Sequence, residues 1–173
     1  MYTAIQLNSY LKTKVGAHDT KMKRMKLLYY AQAWHLAWYG RPLFDDEIQA
    51  WDMGPVPASV YYHEKSPVTS GSAIALEPAV EHHIKSIIAF YGNKTGTQLS
   101  SMTHEEDPWK EAYSSGKNQV ISKDAMFRYF SQVSDRPLKP PASAKPVSND
   151  KLQLALAKTN EKFRGVDKIL ADR

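Results

Sequence analysis

Residues 25–39, MKLLYYAQAWHLAWY, are apolar on nearly every side of a helix, which constrains the fold more than any other stretch of the chain. A helix at a protein surface carries a single apolar stripe, whereas one that is apolar all round must be covered by several neighbours. The pattern predicts a central helix over about 20–39, capped by Asp19 or Thr20 and stopped by Gly40 with Pro42 beyond. Lys26, Gln32 and His35 interrupt the run, leaving it too short and too polar to span a bilayer. Met22, Lys23 and Arg24 read as a solvated helix start.

The rest of the chain supplies the cover. Ala4, Leu7 and Leu11 recur at helical spacing in a first helix that ends around Gly16. The segment 47–53 has no helical period and reads as a short strand ending in a Gly54-Pro55-Val56-Pro57 turn. Ala58 to Lys65 reads as a short helix, followed by a Pro/Gly/Ser loop to Leu76 with room for a second strand. Pro78 opens a helix with Val80, Ile84, Ile87, Ile88 and Tyr91 on one stripe. Thr95 to Thr103 is predicted helical, Asp107 caps another helix with Pro108 and Trp109 behind it, and Val120-Ile121 is extended. Ser122 caps a helix through Val133 that turns Ala125, Met126, Tyr129 and Phe130 inward. The expected fold is mainly α, a single compact helical domain (1–133) with a minor β element.

Beyond it, residues 134–147 hold four prolines between Arg136 and Val147 and form a Pro-rich linker. In 148–173, Leu152, Leu156, Phe163, Val166 and Leu170 make a heptad-like stripe interrupted by Thr159. That amphipathic helix can dock on the parent domain, pair with itself or enter a groove on a partner. The net charge of +5 comes mostly from this tail, since residues 1–133 carry 14 Lys and Arg against 13 Asp and Glu. A near-neutral body lacks the broad basic face of a dedicated nucleic-acid-binding domain, which demotes nucleic acid as a partner.

The chemistry of catalysis leaves no positive sign. With no cysteine, a disulfide scaffold, a thiolate zinc site and a cysteine nucleophile are excluded. His82 and His83 are adjacent and point about 100° apart on a helix; His104-Glu105-Glu106 lacks the second histidine of a zinc-protease helix. His18, His35 and His63 stand alone, so neither a metal nor a cofactor is expected. The acidic clusters at Asp45-Asp46-Glu47 and Glu105-Glu106-Asp107 read as solvated turns or helix N-terminal charges. Four Trp and ten Tyr are the unusual feature. Trp34 and Trp38, four apart, pack a core, while Tyr29 and Tyr30 cannot face the same way, so one is expected to reach a polar partner or the surface.

Taken together, residues 26–61 (KLLYYAQAWHLAWYGRPLFDDEIQAWDMGPVPASVY) resemble the Panacea domain family of SocA-type antitoxins and phage-associated proteins. The resemblance rests on Tyr30-Ala31-Gln32, Trp34-His35-Leu36, Gly40 with Leu43-Phe44, and Ala50-Trp51 followed by Gly54-Pro55-Val56. THEEDPW (103–109) is a second family-like block and SKDAMFRYF (122–130) a closing helix, so coverage runs from about residue 3 to 133. The N-terminus MYTAIQLNSYLKTK lacks the apolar run of a signal peptide, so a cytoplasmic protein is expected. The resemblance implies a non-catalytic antitoxin that sequesters a cognate toxin or, in adaptor-type action, delivers it to an ATP-dependent protease. The motif positions it offers for partner contact are Tyr30, Trp34, Trp51, Gly54, Pro55, Val56, Thr103, His104, Glu105 and Trp109, with the tail stripe as a further partner face. Recurrence for folding alone is the other reading of these blocks. The rivals are a prophage regulator whose basic tail contacts nucleic acid, and an enzyme in which His104, Glu105 and Glu106 converge.

Overall fold

The computed structural model describes residues 1–66 and 74–133. The tail stripe, the linker and most of the loop before Leu76 lie outside the described residues. Among the described residues, seven α-helices and one β-hairpin follow in order: α1 (Ala4–Lys14), α2 (Lys21–Tyr39), β1 (Ile48–Trp51), β2 (Gly54–Pro57), α3 (Ala58–His63), α4 (Pro78–Tyr91), α5 (Gly96–His104), α6 (Asp107–Ser114) and α7 (Lys123–Gln132). Among the described residues, no helix is long and apolar enough to cross a membrane.

α2 is the axis of the domain, and α1, α4, α5, α7 and β2 all pack on it. Thr20 caps it through the Lys23 N–H, and Gly40 ends it in the left-handed region (φ 63°) with its N–H bonded to Leu36 O. Its aromatic side chains fill the interior: Tyr30 stacks on Tyr91 at 3.9 Å between centroids, and Trp34 meets Phe130 edge-on and donates its indole N–H to Tyr91 Oη (3.0 Å). Gln32 pins the chain after the helix, accepting from the N–H groups of Leu43 and Phe44 and donating to Phe44 O. This places Tyr30-Ala31-Gln32 and Leu43-Phe44, distant in the sequence, in one hydrogen-bonded unit.

The start of α2 is not solvated. Lys23, Arg24 and Lys26 are buried, because neighbouring elements cover them and supply acceptors. Lys23 Nζ donates to Gly92 O (2.7 Å). Arg24 is held by Asp19, Asn8 and both oxygens of Glu64. Burial raises the Glu64 carboxyl, but hydrogen bonds from Lys12, Asn8 and Arg24 outweigh it and bring the group down to about 2. These polar groups tie α1, α3 and the end of α4 to the axis, which apolar packing alone would leave free to slide.

Residues 54–57 form the second strand rather than a turn. The turn is Asp52-Met53, and the register pairs Ile48 with Pro57, Gln49 with Val56, Ala50 with Pro55 and Trp51 with Gly54. Both prolines sit opposite residues whose backbone groups point to the other edge. There, Ala50 N–H bonds Gln119 O, Asn118 N–H bonds Ala50 O and Ile121 N–H bonds Ile48 O. Proline therefore removes no ladder donor, which is why two are tolerated in a four-residue strand. The same bonds account for the extended piece at Val120-Ile121, with Val120 bridged to Gln49.

Gly54 holds φ 95°, and a Cβ there would lie 2.7 Å from Thr103 Oγ1 and 3.0 Å from Lys26 Nζ. Gly54→Ala is expected to cost roughly 2–3 kcal/mol from the positive φ and the overlap together. Chemical denaturation checks this, and a cost below about 0.5 kcal/mol would contradict the close approach.

Candidate functional site

Two sequence blocks far apart in the chain meet at the hairpin turn. Three successive backbone carbonyls of that turn are each taken by a side chain from α5 or α6. Trp109 Nε1–H donates to Trp51 O (3.1 Å), His104 Nε2 lies 3.0 Å from Asp52 O, and Ser100 Oγ–H donates to Met53 O (2.7 Å). Tyr113 adds a bond from its hydroxyl to Asp52 Oδ1 (2.9 Å), and its ring stacks on Trp109 at 4.5 Å. The other nitrogen of His104, Nδ1, lies 2.6 Å from Ser100 O, and the ring lies 4.1 Å from that of Trp109. Side chains in fixed rotamers thus hold the turn, giving a projecting loop little left to lose on binding.

Behind this clamp stands Glu106, only 1% exposed. Its Oε2 accepts from Tyr29 Oη (2.9 Å) and its Oε1 from Tyr30 Oη (3.1 Å). Tyr29 and Tyr30 converge although adjacent side chains are expected to face apart, and both, rather than one, reach a polar partner. Adjacent rings tilted by 58° flank the carboxylate from two sides, and both are fully buried. Burial and the facing carboxylate push the Tyr29 hydroxyl well above its ordinary range. Glu106 is accordingly not a solvated helix-terminal charge. It is also the residue before α6, in the N-cap position expected for Asp107, while its side chain turns inward.

The face of the hairpin turned to solvent has a different character. Gln49 and Trp51 share it, with Trp51 Nε1–H bonded to Gln49 Oε1 (3.0 Å). Trp51 lies edge-on to Tyr61 (4.6 Å) and 6.2 Å from Tyr62, and Val120 stands opposite Gln49. Of the four large hydrophobic residues exposed among those described, three belong here: Met53 (53%), Tyr62 (61%) and Val120 (46%). A cavity of about 460 Å³ opens beside them, lined by Trp51, Met53, Tyr61 and, from α2, Met22, Met25 and Lys26.

Residues 25–110 match the family model described as antitoxin SocA-like, Panacea domain. The chain carries a SocA-like Panacea domain. Comparison with curated proteins and with solved structures finds no match to either. Membership ties the domain to an antitoxin-type role, and the hairpin, its clamp and the Glu106 network all lie within or against the matched segment.

Within the Panacea domain the motif positions divide by burial. Tyr30, Trp34, Gly54, Pro55, Val56, Thr103 and Trp109 are buried, Trp51 and His104 are half-buried, and Glu105 is exposed beside Lys110. The buried set builds the scaffold, and Trp51 is the motif residue at the heart of the surface patch. Met53, Tyr61, Tyr62 and Val120 join it without being among the motif positions offered for partner contact.

His104, Glu105 and Glu106 do not converge. They point respectively to the turn carbonyls, to solvent and to the tyrosine pair, which removes the geometric basis of the enzyme reading. His35 and His83 do come together, with ring centroids 5.1 Å apart. Each spends a nitrogen on a backbone carbonyl, Arg41 O and Ala31 O respectively, and burial pushes them down to about 4 and about 3.

Lys26, like Lys23, is a buried cation bonded to a backbone carbonyl. Its Nζ donates to Pro55 O (3.0 Å), no acid among the described residues pairs with it, and burial lowers it to about 7. Unfolded, the group titrates near 10.5, so between pH 7 and 10.5 the unfolded chain holds a proton that the folded one lacks. Stability then rises with pH across that window. Lys26→Met is expected to stabilise the domain by about 2 kcal/mol at pH 7, with the gain shrinking toward pH 10.5. Urea unfolding across that range measures it, and a gain independent of pH would contradict the buried charge.

Proposed function

We propose that this protein is a non-catalytic antitoxin that neutralises a cognate toxin by binding it through the solvent face of the hairpin. The observation that supports this reading most directly is the patch of Trp51, Met53, Tyr61, Tyr62 and Val120 on a turn clamped by Ser100, His104 and Trp109. Aromatic and methionine side chains supply contact area at low entropic cost, and such residues are enriched in protein interfaces. The near-neutral charge of residues 1–133 favours a protein over nucleic acid as the occupant of this face.

Binding is the step shared by sequestration and by delivery to an ATP-dependent protease. Co-expression with each adjacent small open reading frame tests it, scoring growth and co-purification. A neighbour that is toxic alone, harmless together with this chain and retained on it is the expected result. Rescue with a stable complex and an unchanged toxin half-life indicates sequestration, whereas rescue with a shortened half-life indicates delivery. Absence of any toxic neighbour would overturn the antitoxin reading.

A further inference from the structure

The cavity beside the patch has apolar walls and a basic rim. Met22, Met25, Trp51, Met53 and Val56 line it, and its volume lies within the usual range for ligand pockets of roughly 300–1,000 Å³. Tyr61, also in the lining, carries two ammonium groups, Lys21 Nζ at 3.8 Å and Lys65 Nζ at 4.6 Å from its ring centroid. Lys21 Nζ is held there by donating to Tyr61 O (3.0 Å). A third lysine at the cavity, Lys117, stands 3.4 Å from Asp52. Lys65 and Lys117 are exposed and Lys21 is half-buried, so an incoming group can reach all three. Among the described residues, neither Lys21 nor Lys65 forms an ion pair, and Glu64, next to Lys65 in the chain, is taken by Arg24 and Lys12. Three cations thus face one acid at this rim, on a domain (1–133) whose charges otherwise nearly cancel.

We propose that this cavity seats one large aromatic side chain of the toxin, while acidic residues beside it in the toxin's chain meet Lys21, Lys65 and Lys117. The inference rests on the antitoxin reading and names what the hairpin face selects. Methionine sulfurs and the Trp51 ring make favourable contacts with an aromatic occupant. Trp51, Met53 and Tyr61 belong to both the patch and the cavity, so one segment crossing the patch fills the cavity and lays its flanks over the lysines. Charge complementarity selects the occupant. The chain's own residues 134–173 carry the wrong sign, with nine Lys and Arg against five Asp and Glu. A second copy docking through the same face brings the same excess of lysines to both sides. A bare inorganic anion leaves the apolar walls unfilled.

The test uses the full chain and three blocked peptides, acetyl-Gly-Glu-Phe-Asp-Gly-amide, its neutral twin acetyl-Gly-Gln-Phe-Asn-Gly-amide, and acetyl-Gly-Glu-Ala-Asp-Gly-amide, followed by NMR at the Trp51 indole N–H and the Met53 methyl. The expected result is a saturable shift with the first peptide, roughly three- to tenfold tighter than with its neutral twin at low salt. That preference is expected to shrink as ionic strength rises. Replacing phenylalanine by alanine is expected to weaken binding roughly 10- to 100-fold. Lys65→Glu combined with Lys117→Glu, both at exposed positions, is expected to turn the preference toward the neutral twin while melting with the parent. Equal affinity for the acidic and neutral peptides, equal affinity for the phenylalanine and alanine peptides, or no saturable shift would overturn the proposal. Displacement by inorganic phosphate at lower concentration than the acidic peptide would also overturn it, assigning the rim to a phosphate-bearing ligand. In co-expression, a toxin retained by Lys65→Glu/Lys117→Glu as tightly as by the parent, alongside failure of Met53→Ala/Tyr62→Ala, would sink the acidic selection and leave the patch standing. Failure of the parent chain to rescue from any neighbour would sink the antitoxin reading itself, and this inference with it.

Discussion

Glu106→Ala is expected to cost roughly 3–5 kcal/mol, enough to unfold much of the population of a small domain. The side chain is buried and accepts from two fully buried tyrosine hydroxyls, so truncation removes both acceptors and leaves a void where water is excluded. The consequences reach the binding face. Glu106 leads into α6, whose Trp109 holds the Trp51 carbonyl, and Tyr29 and Tyr30 lie against Phe130 of α7. Glu106→Gln keeps the volume and one carbonyl oxygen and is expected to cost only about 1–2 kcal/mol. Tyr29→Phe combined with Glu106→Gln closes a double-mutant cycle, in which a coupling energy near zero would contradict the shared network. Guanidinium denaturation of the four proteins supplies the values.

Met53→Ala combined with Tyr62→Ala is expected to abolish toxin neutralisation while leaving the fold intact. Both side chains project from the surface, so truncation costs little stability, within about 0.5 kcal/mol each. If the clamped hairpin is the interface, these residues flank its centre, and their combined loss from binding is about 2–4 kcal/mol, or roughly 30- to 1,000-fold in Kd. Calorimetric titration of the co-purified toxin gives the affinity, and a thermal melt verifies the fold. The contrast with Glu106→Ala matters: one change acts through stability, the other through contact alone, so equal loss of rescue by both has two separable causes.

The parts of the fold legible in the sequence are those governed by local rules. The all-round apolar character of residues 25–39 and the glycine after Tyr39 define α2, and Thr95 and Ser122 mark the starts of α5 and α7 through their caps. What local rules miss is set by partners distant along the chain. Lys23 finds Gly92 and Arg24 finds Glu64, so two charges that look solvated are interior struts, and Lys26, inside the apolar run, finds Pro55. Two prolines in four residues argue against a strand until the register shows them facing pairs that carry no ladder bond. The resemblance to the Panacea domain supplied both motif blocks, yet neither block by itself discloses that one grips the turn carbonyls of the other. Exposed Met53, Tyr62 and Val120 carry no pattern at all, since only their placement around Trp51 makes them a surface.

The claim that the clamped hairpin binds a toxin is tested most directly by one co-expression experiment. The parent chain and the Met53→Ala/Tyr62→Ala variant are each paired with the adjacent toxic open reading frame, and growth and co-purification are scored. The account predicts rescue and a retained complex for the parent, and a folded variant that neither rescues nor retains the toxin. A variant that rescues and co-purifies as well as the parent would place the interface elsewhere on the domain.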